Sequence, residues 1–173
     1  IIGLGNIGME VARLCKAAGM TVYGLDLVEK SENIDRFFAP GELANMLPHL
    51  STLVLALPLT ADSRRMLGKK ELFLLPKGAL FVNISRGSVV DESELMNALR
   101  SGHLSGAVLD VFETEPLPVD SPLWDLDNVL LSPHSASTTD LENSRLTDLF
   151  CENLKRFIND EPLINLYDPI RKY

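Results

Sequence analysis

Blocks of apolar residues with different periods follow one another along this chain. An opening apolar pair, Ile1-Ile2, breaks at Gly3-Leu4-Gly5-Asn6-Ile7-Gly8. Over residues 9–18 apolar positions recur at helical spacing, and Gly19 closes that helix. Residues 21–25 read as a strand, residues 37–39 as a short third strand, and residues 41–47 as a short helix before Pro48. The run Ser51-Thr52-Leu53-Val54-Leu55-Ala56-Leu57 is almost continuously apolar, as in a strand covered on both faces. Residues 69–75 read as a helix and residues 79–84 as another buried strand. Asp91 and Glu94 have the spacing that caps a helix running to about Arg100. Residues 104–111 and 128–131 read as strands. Thr139 with Glu142 predicts a capping box for a last helix to about Asn159, and the stripe Leu149, Phe150, Leu154, Phe157 and Ile158 reads as core packing. Strands alternating with helices predict an α/β fold, a doubly wound, mainly parallel sheet in three α/β/α layers.

The glycine turn sharpens this picture. Gly3 permits a tight turn, Gly5 lets the backbone approach a pyrophosphate, and Gly8 allows the helix to pack closely on the strand. The amides at the helix start and the positive end of its dipole suit phosphate oxygens. Asp26 ends the next strand eighteen residues after Gly8, near the separation of about 20 expected for a carboxylate that binds an adenosine ribose. No arginine follows it directly, since Leu27, Val28 and Glu29 precede Lys30. The segment predicts a Rossmann-type site that prefers NAD to its 2′-phosphorylated form.

Composition narrows the function classes. The 173 residues suffice for one sizeable core, and 46% hydrophobic and 23% charged residues suit a globular protein. A net charge of −8 argues against a nucleic-acid surface, which needs clustered Lys and Arg. No apolar run approaches the roughly 18 residues of a membrane span. Cys15 and Cys151 fall in helical patterns and read as buried thiols of a reducing, cytoplasmic compartment. The chain starts inside a strand and without Met, which predicts a missing lead-in and leaves organellar targeting open. No ligand cluster suggests a metal.

In a doubly wound sheet ligands bind beyond the carboxyl ends of the strands. The residues following predicted strands are Asp26, Pro58 to Thr60, Ser85-Arg86, Asp110 to Glu115 and Pro133-His134. Arg86 can hold a carboxylate in a bidentate fork. His134 suits a proton donor, because an imidazole ordinarily titrates at about 6.5. Glu115 is the candidate partner that favours its imidazolium form, with Glu113 left open beside it. His49 and His103 read as surface residues.

Taken together, these segments resemble the NAD-binding domain of the D-isomer-specific 2-hydroxyacid dehydrogenases, nearly end to end. The likeness rests on the glycine turn and on Leu57-Pro58-Leu59-Thr60. It continues through Asn83-Ile84-Ser85-Arg86-Gly87-Ser88-Val89-Val90-Asp91 and Gly106-Ala107-Val108-Leu109-Asp110-Val111-Phe112-Glu113-Thr114-Glu115-Pro116-Leu117. Pro122-Leu123-Trp124, Asn128-Val129 and Ser132-Pro133-His134-Ser135-Ala136 complete it. The resemblance implies catalytic roles for Arg86, Glu115 and His134, and it selects Glu115, before Pro116, over Glu113. It implies that Asn6 and Ile7 lie over the pyrophosphate and that Leu57 and Pro58 face the cofactor. It also sets Ile84 and Ser85 near the nicotinamide ribose, Asp110 beside the carboxamide, and residues 134–137, with Ser137, in the loop near the nicotinamide. Two positions depart from the pattern: Ser132 replaces a common Thr, and Ser135-Ala136-Ser137 replaces a tetrad that often ends in Gly. Residues 1–160 then form the cofactor domain, and residues 161–173 a stub returning to a substrate domain whose N-terminal part is absent. The implied substrate is a small 2-oxo acid such as glyoxylate, hydroxypyruvate or pyruvate, and a homodimer is implied for the full-length protein. An NAD(H)-sensing, corepressor-like relative is the alternative.

Overall fold

Parallel pairing of short strands organises the computed structural model, which describes residues 1–169. Strands β1 (Tyr23–Leu25) and β2 (Arg36–Phe38) pair with each other. Strands β3 (Thr52–Leu55), β4 (Ala79–Asn83), β5 (Leu104–Leu109) and β6 (Val129–Leu131) form a second parallel run in that spatial order. Ile2 joins the two, bridging to Leu25 on one side and Leu55 on the other. The chain therefore runs outward to β1 and β2, then crosses back past Ile2 to β3. That reversal is the switch point at which open α/β sheets bind their ligands. The register aligns the strand ends, because Leu55 pairs with Asn83, Asn83 with Leu109, and Leu109 with Leu131. Whatever follows those residues emerges on one edge.

Among the described residues five helices connect and flank the strands: α1 (Asn6–Ala17), α2 (Leu43–Met46), α3 (Lys69–Leu74), α4 (Glu92–Arg100) and α5 (Glu142–Ile158). Alternation along β3 separates two apolar clusters. Leu53 and Leu55 join the larger one with Leu72, Phe81, Leu95 and Leu109, while Val54 packs towards Ile1, Leu4, Ala12 and Val22 beneath α1. Side chains of successive strand residues point to opposite faces, so helices cover the sheet from both sides. Asp91 caps α4 as its spacing predicts, its carboxylate accepting from Glu94 N at 3.2 Å. The helix expected over residues 41–47 is instead a single α turn between two 3₁₀ turns, each with a proline near its start. Proline lacks an N–H and breaks the ladder there.

The described chain groups into two compact units, Ile1–His134 and the segment from Ser135 onward. In the second unit α5 starts at Glu142, and Thr139 accepts from Leu141 N through its hydroxyl at 3.0 Å. The predicted capping box does not form, because the Leu141 N-cap carries no capping side chain. The return segment folds against α5, where the Asn153 amide exchanges hydrogen bonds with Ile164 N and O at 2.9 and 3.0 Å. The expected core stripe of α5 is also corrected: Phe150 and Phe157 are 66% and 71% exposed. Cys151 is exposed rather than buried, and both cysteines are free. Residues 170–173 of the anticipated stub lie outside the described residues. No helix among the described residues is long and apolar enough to cross a membrane.

Candidate active site

The turn after Ile2 supplies one end of the site. Gly3 has φ +90°, and a Cβ there would lie 2.6 Å from Ala56 O. A Cβ on Gly8 would lie 1.9 Å from Gly3 O, so the helix start is pressed onto the turn. Around Gly5 there is open space, and Gly5, Asn6 and Ile7 are exposed. No side chain caps the first turn of α1 and no acidic residue stands in it. A helix start with these properties is a fit for a pyrophosphate. Asp26, half-buried at the end of β1, accepts from Leu4 N and from Leu27 N, the latter at 2.6 Å. These bonds fix its carboxylate beside the turn, where ribose hydroxyls of a dinucleotide can reach it. The residues present therefore fit the cofactor that the turn predicts.

Leu57 and Pro58 follow β3 and are half-buried. Their loop is held by Ser63, a residue the sequence did not single out. Its buried hydroxyl donates to Pro58 O at 2.8 Å and accepts from Thr60 N at 2.7 Å. After β4 come half-buried Ile84, buried Ser85 and exposed Arg86, whose Nη1 donates to Ser85 O at 2.6 Å. Gly87 lies against the segment following β5, since a Cβ there would sit 1.9 Å from the Phe112 carbonyl carbon. That contact sets the root of Arg86 beside the segment carrying Glu115.

Asp110 is buried at the end of β5 and accepts from Ser132 Oγ at 2.6 Å, which ties the ends of β5 and β6 together. Glu115 uses both carboxylate oxygens: Oε1 accepts from Phe112 N at 2.9 Å, and Oε2 lies 2.7 Å from His134 Nδ1. Burial pushes this carboxyl up. The hydrogen bonds from His134 and Phe112 and the positive charges of His134 and Arg86 outweigh it and hold the carboxyl below its usual range. His134 has φ +54°, a left-handed conformation that His tolerates better than most residues. Glu113 points elsewhere and pairs with Arg65 at 2.8 Å. A cavity of about 630 Å³ lies beside the Glu115–His134 pair, lined mainly by Phe112, Pro116, Leu117, Trp124 and Leu131. Another, of about 490 Å³, opens at the N-terminal ends of β1 and β3, far from these groups. Ser137 belongs to the second unit, in the turn leading to α5. His103, read as a surface residue, is half-buried and stacks on Phe73 at 4.5 Å. His49 is exposed.

A parallel sheet with a glycine turn at its switch point, and a cation and an imidazole–carboxylate pair along the same edge, is the arrangement of a dinucleotide-binding domain. Residues 1–136 match the model of the D-isomer specific 2-hydroxyacid dehydrogenase NAD-binding domain, and the chain belongs to that family. It is 38% identical over 169 residues to a glyoxylate reductase of Korarchaeum cryptofilum, covering 96% of this chain and 50% of that one. A D-3-phosphoglycerate dehydrogenase of Escherichia coli is 41% identical over 150 residues, covering 80% of this chain and 35% of that one. Among solved structures, a D-isomer specific 2-hydroxyacid dehydrogenase from Xanthobacter autotrophicus Py2, in complex with NADPH and MES, superposes with a TM-score of 0.92 at 42% identity. That match covers 99% of this chain and 71% of the other. The chain spans about half the length of the curated glyoxylate reductases it matches.

Proposed function

We propose that this chain is the cofactor-binding and proton-donating part of an NAD-dependent D-2-hydroxyacid dehydrogenase that reduces a small 2-oxo acid of the glyoxylate or hydroxypyruvate type. The observation that carries this reading is the 2.7 Å contact of Glu115 with His134 Nδ1, on the sheet edge where Arg86 also emerges. Hydride is the chemistry that a bound nicotinamide supplies. Arg86 holds the substrate carboxylate and polarises the adjacent carbonyl. With Nδ1 taken by Glu115, Nε2 is the nitrogen of His134 left to carry a transferable proton, which goes to the carbonyl oxygen as the carbon accepts hydride. The Glu115 carboxylate holds Nδ1 and fixes the orientation of the ring.

Gly3, Gly5, Asn6, Ile7 and Gly8 are assigned to the pyrophosphate, and Asp26 to the adenosine ribose. Leu57, Pro58, Ile84, Ser85, Asp110 and Ser137 are assigned to the nicotinamide half. Residues 1–160 form the cofactor domain in this reading, and the segment from 161 leads to a substrate domain. A homodimer and a reducing, cytoplasmic setting belong to the same reading.

The reading is tested by assaying glyoxylate and hydroxypyruvate reduction by the whole enzyme with NADH and with NADPH, alongside titration of both cofactors. The expected outcome is turnover with NADH and at least about tenfold weaker binding of NADPH, because Asp26 repels a 2′-phosphate. Equal affinity for the two would remove Asp26 from the adenosine ribose site. NADH binding without turnover of any 2-oxo acid would favour an NAD(H)-sensing protein.

A further inference from the structure

We propose that Asn83 is the positioning residue for Arg86: its side chain fixes the turn from which the guanidinium reaches the substrate carboxylate. The proposal rests on the reading of Arg86 as the substrate-binding cation. Asn83 ends β4 and is completely buried. Its Oδ1 accepts from Ser85 N at 3.0 Å and from Ser85 Oγ at 2.7 Å, while its Nδ2 donates to Arg86 O at 3.1 Å. A primary amide of this length offers an acceptor and a donor on separate atoms, whereas an ionised carboxylate only accepts and a hydroxyl must do both through one oxygen.

The backbone of Asn83 is meanwhile held in the middle of the sheet. It pairs with Leu55 on one side and Leu109 on the other, and its carbonyl accepts from Asp110 N at 3.0 Å. The rigid end of a central strand thus grips the two residues that carry the substrate-binding cation. Gly87 holds the other side of Arg86 against the backbone of Phe112. Packing alone does not account for an amide at this position: a leucine of similar size would fill the space but leave Ser85 N, Ser85 Oγ and Arg86 O without these partners. What the amide adds is a defined path for the chain from Asn83 to Arg86.

The test compares Asn83→Asp, Asn83→Ala and Arg86→Lys in the whole enzyme. Asn83→Asp keeps the size and the acceptor for Ser85 but lacks the Nδ2 donor to Arg86 O. The expected result is a rise in KM for glyoxylate of about tenfold or more in Asn83→Asp, the scale of one lost buried hydrogen bond. In Asn83→Asp NADH affinity should stay within about twofold and the thermal midpoint above the assay temperature, because the glycine turn and Asp26 are untouched and the substituted side chain still accepts from Ser85. In an Arg86→Lys background the same substitution should change KM by less than about threefold, since the grip it aligns is already lost. Equal KM changes in both backgrounds would make Asn83 a structural residue and overturn the proposal, as would an Asn83→Asp enzyme with unchanged KM. If Asn83→Ala does not fold, Asn83→Asp carries the test; failure of both to fold assigns Asn83 to the fold alone and overturns the proposal. An Arg86→Lys enzyme with unchanged KM overturns the role of Arg86 and this proposal with it. An effect at Arg86 without one at Asn83 overturns this proposal only.

Discussion

Glu115 carries two duties with one carboxylate, and they separate on substitution. Oε1 ties the loop through Phe112 N, whereas Oε2 meets the imidazole of His134. Its carboxyl lies below the ordinary value of 4.5. The stability this charge contributes is therefore present above that value and lost as pH falls through the lower folded value. The side chain is 34% exposed, so solvent screening keeps this contribution small. Acid titration of the thermal midpoint should show the parent losing slightly more stability than Glu115→Gln across that window. The larger effect is on chemistry. An amide does not hold the His134 ring through an ion pair as a carboxylate does, so oxo-acid reduction by the whole Glu115→Gln enzyme should slow. At neutral pH kcat should drop by about 10² or more, the scale of a general acid. Single-turnover rates at neutral pH decide it; an unchanged rate leaves Glu115 only its loop-tying duty.

Strands and their ends were the legible elements, because burial on both faces writes itself as apolar runs and the residues after them are polar by contrast. Arg86, His134 and a carboxylate at Glu113 or Glu115 could be picked out on that basis, the choice of Glu115 coming from the family resemblance, and the glycine turn on its spacing. Asn83, Ser63 and the Arg65–Glu113 pair were not, since each acts through a contact with a loop whose path the sequence does not state. A buried Asn at the end of an apolar strand is the one signal that could have pointed to such a grip. Helix ends were less legible, as prolines divided the segment at residues 40–49 and the start of α5 moved past its expected cap. The α1 start gives the sharpest prediction at this scale. Gly8→Ala would put a methyl 1.9 Å from Gly3 O, a backbone atom that cannot yield as a flexible side chain would. The helix must move off the turn. A loss of about 1–3 kcal/mol in unfolding free energy is expected from overpacking, together with at least about tenfold weaker NADH binding. Denaturant unfolding and NADH fluorescence titration measure the two; undiminished NADH affinity would show that the turn and helix start do not cradle the pyrophosphate.

At the scale of the whole molecule, the groups assigned to the cofactor lie in a chain about half as long as the glyoxylate reductases it matches. Reduction in the proposed reading needs more than a bound dinucleotide: the 2-oxo acid must be enclosed beside Arg86 and His134 with water excluded. His134 is 44% exposed in this chain, and Arg86 is exposed as well. A water-filled opening there weakens the grip on the substrate carboxylate and leaves the imidazole in contact with solvent. If, as proposed, a substrate domain supplies that enclosure, the 173-residue chain by itself should bind NADH yet reduce glyoxylate or hydroxypyruvate at least about 10³-fold more slowly than the whole enzyme. The apolar residues Phe150, Leu154, Phe157 and Ile158 exposed on α5 should also make it self-associate, since contiguous exposed apolar surface favours association. Sedimentation velocity should show larger species that Phe150→Glu and Phe157→Glu convert to monomer without loss of NADH binding. Turnover by the isolated chain at the rate of the whole enzyme would show that Arg86 and His134 need no further enclosure. Failure to bind NADH would show that the glycine turn, Asp26 and the strand-end loops do not by themselves make the cofactor site.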